Sequence, residues 1–175
     1  MHKNLPKQYY FIEKFDKKIL ENQSIKTAII YRNYSKKINI TEILKIKKFC
    51  NKKKLKLFLS NNFKLALKLN LNGVYLPSFN KSLNHLNFNI KKNFIVLGSA
   101  HNLKEIRIKE SQKVDAIFLS SIFKKNSNYL GLLKFLNLSS LSKKKIIALG
   151  GISKKNKKIL NKLNLWGFAG ISYFK

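Results

Sequence analysis

Eight short runs of β-branched, aliphatic and aromatic residues recur along the chain, at residues 9–12, 27–31, 55–59, 73–76, 94–98, 116–119, 146–149 and 167–171. Each has four or five residues, close to the usual strand length. Stretches of helical period lie between them. Residues 40–48 set Ile40, Ile43, Leu44 and Ile46 among lysines, 63–69 and 103–113 repeat the pattern, and 154–163 carry Ile159, Leu160 and Leu163 on one stripe. Thr41 and Asn102 are the expected N-caps, Glu42 and Glu105 sit near the helix starts, and Asn72-Gly73 closes another helix. Strands alternating with helices specify βαβ units and a parallel sheet.

A doubly wound open sheet usually needs five or six strands, so eight strand–helix steps predict an α/β fold of the (β/α)8 TIM barrel type. A chain of 175 residues is the length of one domain, expected over residues 1–175. The barrel is compact. After the eighth run only Ser172, Tyr173, Phe174 and Lys175 remain, so the final covering helix is expected to be missing. Apolar outer surface near strands one and eight would then be left for a second subunit, which predicts a homodimer.

No stretch is apolar over the roughly 18 residues of a membrane span, and residues 1–14 lack a small-residue cleavage site, so no membrane partner and a cytoplasmic location are expected. Cys50 is the single cysteine, which excludes an internal disulfide and a cysteine-clustered zinc site and reads as a structural thiol. The formal net charge of +30 suits phosphorylated ligands, nucleic acid or anionic surfaces. Almost all the bases are lysines, with Arg32 and Arg107 the only arginines, and the chain is equally rich in Asn, Ile, Leu and Phe. That set matches an AT-rich coding sequence. The lysines are spread along the chain and form no single stripe interleaved with aromatics, which ranks a nucleic-acid partner below a phosphorylated small molecule.

Barrel active sites lie at the C-terminal ends of the strands, which directs attention to the residues following each run. Gly150-Gly151 after the seventh run lets backbone N–H groups approach an anion, and a helix from about Lys154 would add its positive end. Ile171 and Ser172, with the backbone near Gly170, would complete a phosphate cup. Arg32 ends the second run and carries a planar fork suited to phosphate oxygens, with a rim salt bridge as its structural alternative. His101 is either an acid/base group or a cap for the following helix. Ser99 and Ser127 are hydroxyl donors of low specificity, and Lys124 and Lys125 either face a ligand or lie in a solvated loop.

Four segments in order, Gly98-Ser99-Ala100-His101-Asn102, residues 114–123, residues 147–152 and residues 167–172, resemble thiamine phosphate synthase and the TenI-type thiazole tautomerases. Asn72-Gly73-Val74-Tyr75-Leu76 is similar to the family's Asp-Gly-Val-His-Leu strand. The resemblance implies a transferase of thiamine biosynthesis that joins a pyrimidine-methyl diphosphate to a thiazole phosphate, with magnesium steadying the departing diphosphate. By the same resemblance Arg32 matches the motif arginine, while Ile30 and Tyr34 stand where the family has glutamine and lysine. Asn61 and Asn80 stand where it has metal-binding aspartates, so no metal ligand is assigned. In the loop after the sixth run only Ser127 keeps a hydroxyl, and Lys125 could neutralise a diphosphate. The alternative function is a non-catalytic or TenI-like binder of thiazole phosphate or thiamine phosphate.

Overall fold

The protein is described here by a computed structural model over residues 3–34 and 39–175. In chain order the elements are β1 (Gln8–Ile12), α1 (Lys17–Glu21), β2 (Thr27–Tyr31), α2 (Ile40–Lys52), β3 (Leu57–Ser60), α3 (Phe63–Lys68) and β4 (Gly73–Leu76). A 3-10 turn (Asn84–Asn87) precedes β5 (Ile95–Ala100), α4 (Leu103–Ser111), β6 (Ala116–Ser120), α5 (Gly131–Ser140), β7 (Lys145–Leu149), α6 (Lys157–Leu160) and β8 (Gly167–Gly170). Each strand pairs in parallel with the next, and β8 returns to β1, with Gln8 opposite Phe168 and Tyr10 opposite Gly170. The expected (β/α)8 barrel is therefore closed.

Alternate residues of the strands fill the interior, because the side-chain period of a strand is two. Tyr9, Phe11, Phe58, Tyr75, Leu97 and Phe118 form this inner layer, with Ala28, Ala116 and Ala169 as the small residues beside them. Phe118 is the hub. Its ring meets those of Tyr9, Phe11 and Tyr75 edge-on at centroid distances of 5.0, 5.8 and 5.5 Å, an arrangement that suits the aromatic quadrupole. The intervening strand residues, Tyr10, Ile29, Leu57, Val74 and Ile117 among them, pack outward against the helices. Burial on both faces explains why the strands read as continuous apolar runs.

Asparagine caps three helices at the mouth of the barrel. Asn39, Asn62 and Asn102 each accept the backbone N–H three residues on, satisfying a donor that the first turn leaves open. For α2 the cap is thus Asn39 and not Thr41, because Asn39 has the extended backbone that lets its carboxamide reach Glu42. Two helices escaped the sequence reading, α1 and α5, and the stretch 154–163 contributes only one helical turn, α6.

The outer face of β1 and β8 is covered, against expectation. Residues 171–175 fold back as a turn, and Tyr173 meets Phe168 at 4.8 Å while Phe174 lies 5.3 Å from Tyr10 and stacks on Phe168 at 6.0 Å. Gln23 Nε2 donates to the Phe174 carbonyl at 3.2 Å and fixes this cover. Two aromatic rings thus cover Tyr10 and Phe168, the outward apolar residues of β1 and β8. Cys50 is fully buried on α2, and desolvation pushes its thiol up to about 12, as befits a structural thiol. No helix among the described residues is long and apolar enough to cross a membrane.

Candidate functional site

The strand ends of β1, β2, β6, β7 and β8 surround a hollow of about 360 Å³ at the barrel mouth. Its wall includes Phe11, Arg32, Ser120, Ser121, Lys124, Asn126, the turn Gly150-Gly151-Ile152, and Gly170, Ile171 and Ser172. Both charged side chains in this wall are cationic. The turn after β7 carries φ of +104° at Gly150 and +73° at Gly151, a region that favours glycine. It is also crowded: a Cβ on Gly150 would stand 2.3 Å from Ser121 Oγ, and one on Gly151 2.6 Å from the backbone nitrogen of Lys124. Only glycine lets the β7 turn and the β6 loop approach this closely.

Hydrogen bonds hold the turn shut. Phe123 N donates to Gly150 O at 3.0 Å, Ser121 Oγ to Lys124 O at 2.8 Å, and Asn156 Nδ2 to Gly151 O at 2.8 Å. Among the described residues, the backbone N–H groups of Gly151, Ile152 and Ser172 donate to no protein acceptor. Donors without protein acceptors, beside two cations and no acid, suit an anion. The helix expected to strengthen this site starts at Lys157 and runs for four residues, so its dipole adds little and the peptide N–H groups carry the polarity.

Arg32 enters the hollow from the end of β2. Its backbone N–H donates to Ile12 O at 2.8 Å, and its guanidinium lies 5.0 Å from the centre of the Phe11 ring and 5.9 Å from that of Tyr34. Its ion pair with Glu13 is long, 3.8 Å, and the Glu13 side chain is 72% exposed, a geometry worth little in water. Arg32 therefore lies against two aromatic rings at the wall of the hollow.

The other expected site residues divide sharply. Gly150, Gly151, Ile171, Ser172 and Arg32 converge on the hollow, whereas Lys125 and Ser127 do not line it; Lys124 and Asn126 of the same loop do. Ser99 is buried on β5 beneath the mouth, hydrogen-bonded to the Tyr75 hydroxyl. His101 serves its helix: its ring Nδ1 is 2.9 Å from Glu105 Oε2, which also accepts the His101 backbone N–H at 2.8 Å. Asn61 and Asn80 sit on the β3–β4 side of the mouth, where Asn80 Nδ2 donates to Asn61 Oδ1 at 2.7 Å. Two neutral amides bonded to each other are poor ligands for magnesium, a hard cation that prefers charged oxygens. Among the described residues no three of His, Cys, Asp and Glu converge as a metal site.

Sequence reasoning missed Lys109. Fully buried on α4, its ammonium donates to Pro77 O at 2.8 Å, Asn80 O at 2.7 Å and Gln112 Oε1 at 2.9 Å. It thereby holds the loop after β4 from below. Desolvation lowers its pKa from 10.5 to about 8. The unfolded chain keeps this proton up to its ordinary value while the folded protein releases it near 8, so the stability linked to this group is present above 10.5 and lost as pH falls through 8. The increment is about 3 kcal/mol at most. Denaturant midpoints measured at about pH 7 and about pH 9.5 should show Lys109→Met with a flatter pH dependence than the parent chain.

Comparison with known proteins agrees with the fold. A solved structure, the thiamine phosphate pyrophosphorylase from Pyrococcus furiosus, superposes with a TM-score of 0.73 at 22% identity, over 95% of this chain and 85% of that one. The thiamine-phosphate synthase of Methanococcus vannielii is 27% identical over 119 residues, 66% of this chain and 57% of its own length. A protein of Aquifex aeolicus provisionally named thiamine-phosphate synthase 2 is 34% identical over 135 residues, 74% of this chain and 71% of that protein. With the family model for thiamine monophosphate synthase matching residues 13–174, this chain belongs to the thiamine monophosphate synthase family.

Proposed function

We propose that this protein acts in thiamine biosynthesis by holding the phosphate of a thiazole phosphate in the hollow after β7 and β8 and joining that ring to a pyrimidine-methyl diphosphate. The observation that carries the reading is that Gly151, Ile152 and Ser172, whose backbone N–H groups have no protein acceptor among the described residues, line the same hollow as Arg32 and Lys124. In the reaction the thiazole nitrogen forms a bond to the pyrimidine methylene carbon, and the bond from that carbon to the diphosphate oxygen breaks. The diphosphate leaves with its electron pair. The amides and Ser172 would hold the thiazole phosphate, while Arg32 neutralises charge on the departing group. Asn61 and Asn80, neutral amides bonded to each other, do not fit magnesium.

A second reading, a binder of thiazole phosphate or thiamine phosphate without transfer, is favoured by the Asn61–Asn80 hydrogen bond, which occupies the amides on the diphosphate side of the mouth. Assay of thiamine phosphate formation with and without magnesium, alongside calorimetric titration with thiamine phosphate, separates the two. Product formed equally under both conditions supports the transferase; binding without product supports the binder; neither would exclude a phosphate site. Arg32→Ala should weaken binding of inorganic diphosphate by about tenfold to a hundredfold, the usual worth of a charge-assisted hydrogen bond. Unchanged affinity would remove Arg32 from the site.

A further inference from the structure

We propose that Lys109 and Gln112 are positioning residues for the β3–β4 side of the mouth, and that the amide pair they fix, Asn61 with Asn80, receives an anionic group directly, without a divalent cation. This deepens the reading above by stating how the side of the mouth away from the phosphate hollow handles charge. The connection from β4 to β5, residues 77–94, carries a single 3-10 turn and no α-helix. Helix α4 holds it instead. Lys109 Nζ donates to the carbonyls of Pro77 and Asn80, the two ends of a turn that Asn80 N closes on Pro77 O at 3.0 Å. Gln112, also fully buried, donates from Nε2 to Asn80 O at 3.1 Å and to Ser82 O at 2.8 Å. Three carbonyls of one loop are thus gathered onto two side chains, which are bonded to each other at 2.9 Å.

This clamp settles which atoms of the amides remain for a ligand. Ser82 N donates to Asn80 Oδ1 at 3.0 Å. A backbone N–H can only donate, so the atom of the Asn80 carboxamide that meets it is the oxygen. Asn80 Nδ2 is then directed at Asn61 Oδ1, 2.7 Å away. Each side-chain oxygen of the pair is taken by an N–H of the rim, while Asn61 Nδ2 donates to no protein acceptor among the described residues. Charge points the same way. The three acceptors of Lys109 are neutral oxygens, and with a pKa of about 8 its ammonium is still protonated at neutral pH. A magnesium ion at Asn80 would meet N–H groups and a fixed positive charge where it needs anionic oxygens. An anionic oxygen meets donors there instead.

The test is calorimetric titration of the full chain with inorganic diphosphate and inorganic phosphate, each with and without magnesium. The parent chain should bind diphosphate without the metal. Magnesium should leave that affinity within about twofold or weaken it, because it neutralises the charge that the donors receive. Gln112→Glu keeps a partner for Lys109 and removes the donor to Asn80 and Ser82. It and Lys109→Met should each weaken diphosphate by about tenfold and leave phosphate within about twofold. Asn80→Asp should lose about tenfold in metal-free diphosphate affinity and regain it when magnesium is added, a response that a merely structural role would not produce. Tightening of the parent's diphosphate binding by magnesium of about tenfold overturns the proposal. So does unchanged diphosphate affinity in folded Lys109→Met and Gln112→Glu, or equal weakening of both anions in them. Should neither of these variants fold, Asn80→Asp decides, and a metal response no different from the parent's overturns the proposal. Phosphate bound without diphosphate removes the rim role and leaves the hollow standing. Metal-free diphosphate bound without phosphate does the reverse, and absence of both removes both readings.

Discussion

Gly151→Asp is expected to reduce phosphate binding at the β7 turn by at least about a hundredfold, through two independent effects. The first is steric and conformational. Gly151 has φ of +73°, and its Cβ would stand 2.6 Å from Lys124 N, 3.0 Å from Phe123 C and 3.1 Å from Lys124 Cα. All three are backbone atoms or the Cα of the β6 loop, so the loop must shift and cannot simply rotate a side chain away. The second is electrostatic, since a carboxylate would enter a hollow whose charged wall groups, Arg32 and Lys124, are cationic. Gly151→Ala isolates the first effect, with an expected cost in stability of about 1–3 kcal/mol. Titration with inorganic phosphate, read beside thermal unfolding of each variant, distinguishes lost binding from lost structure. A Gly151→Asp protein that is folded and binds phosphate as the parent does would mean that the anion sits elsewhere.

Gly73→Ala should lower the stability of the barrel by about 3–5 kcal/mol, a large share of the total for a domain of this size. Here the backbone conformation is ordinary and the difficulty is space alone. A Cβ on Gly73 would stand 2.0 Å from the carbonyl oxygen of Ile95 and 2.8 Å from Phe58 Cε1. Ile95 O belongs to the neighbouring strand, and Phe58 is packed inside the barrel. Neither can yield without opening the β4–β5 ladder or repacking the aromatic layer. Gly131→Ala is the control: its φ is +65°, yet the nearest atom to a new Cβ is Tyr129 Oη at 3.5 Å, so it should cost only about 1–2 kcal/mol of backbone strain. Urea unfolding of the two variants should show the larger loss at the position with ordinary dihedrals. The reverse order would mean that β5 relaxes to admit a methyl group.

Strand recognition worked where burial on both faces left a continuous apolar run, as in β2 and β4, whose limits agree with the sequence reading. Helices α1 and α5 were less legible for different reasons. Five residues, Lys17–Glu21, are too few to display a period. In α5, Leu133 is 80% exposed while Phe135 and Leu138 are buried, so apolar residues lie outside the buried stripe as well as in it. Lys109 was invisible for a compositional reason: 37 basic residues less two arginines leave 35 lysines, and nothing local marks the one that is buried. The same abundance hid the choice between Lys124 and Lys125, which the path of a loop decides.

Local chemistry was sufficient for the strand and helix alternation, the Gly150-Gly151 turn and the cap at Asn102, because each depends on residues a few positions apart. Barrel closure decided the rest. It brought Arg32 against the turn 118 residues later, bonded Asn61 to Asn80, laid Phe174 over Tyr10, and set Tyr34 beside Phe79. Those pairings depend on the stagger between strands and on the course of loops over the rim, quantities to which side-chain period is blind.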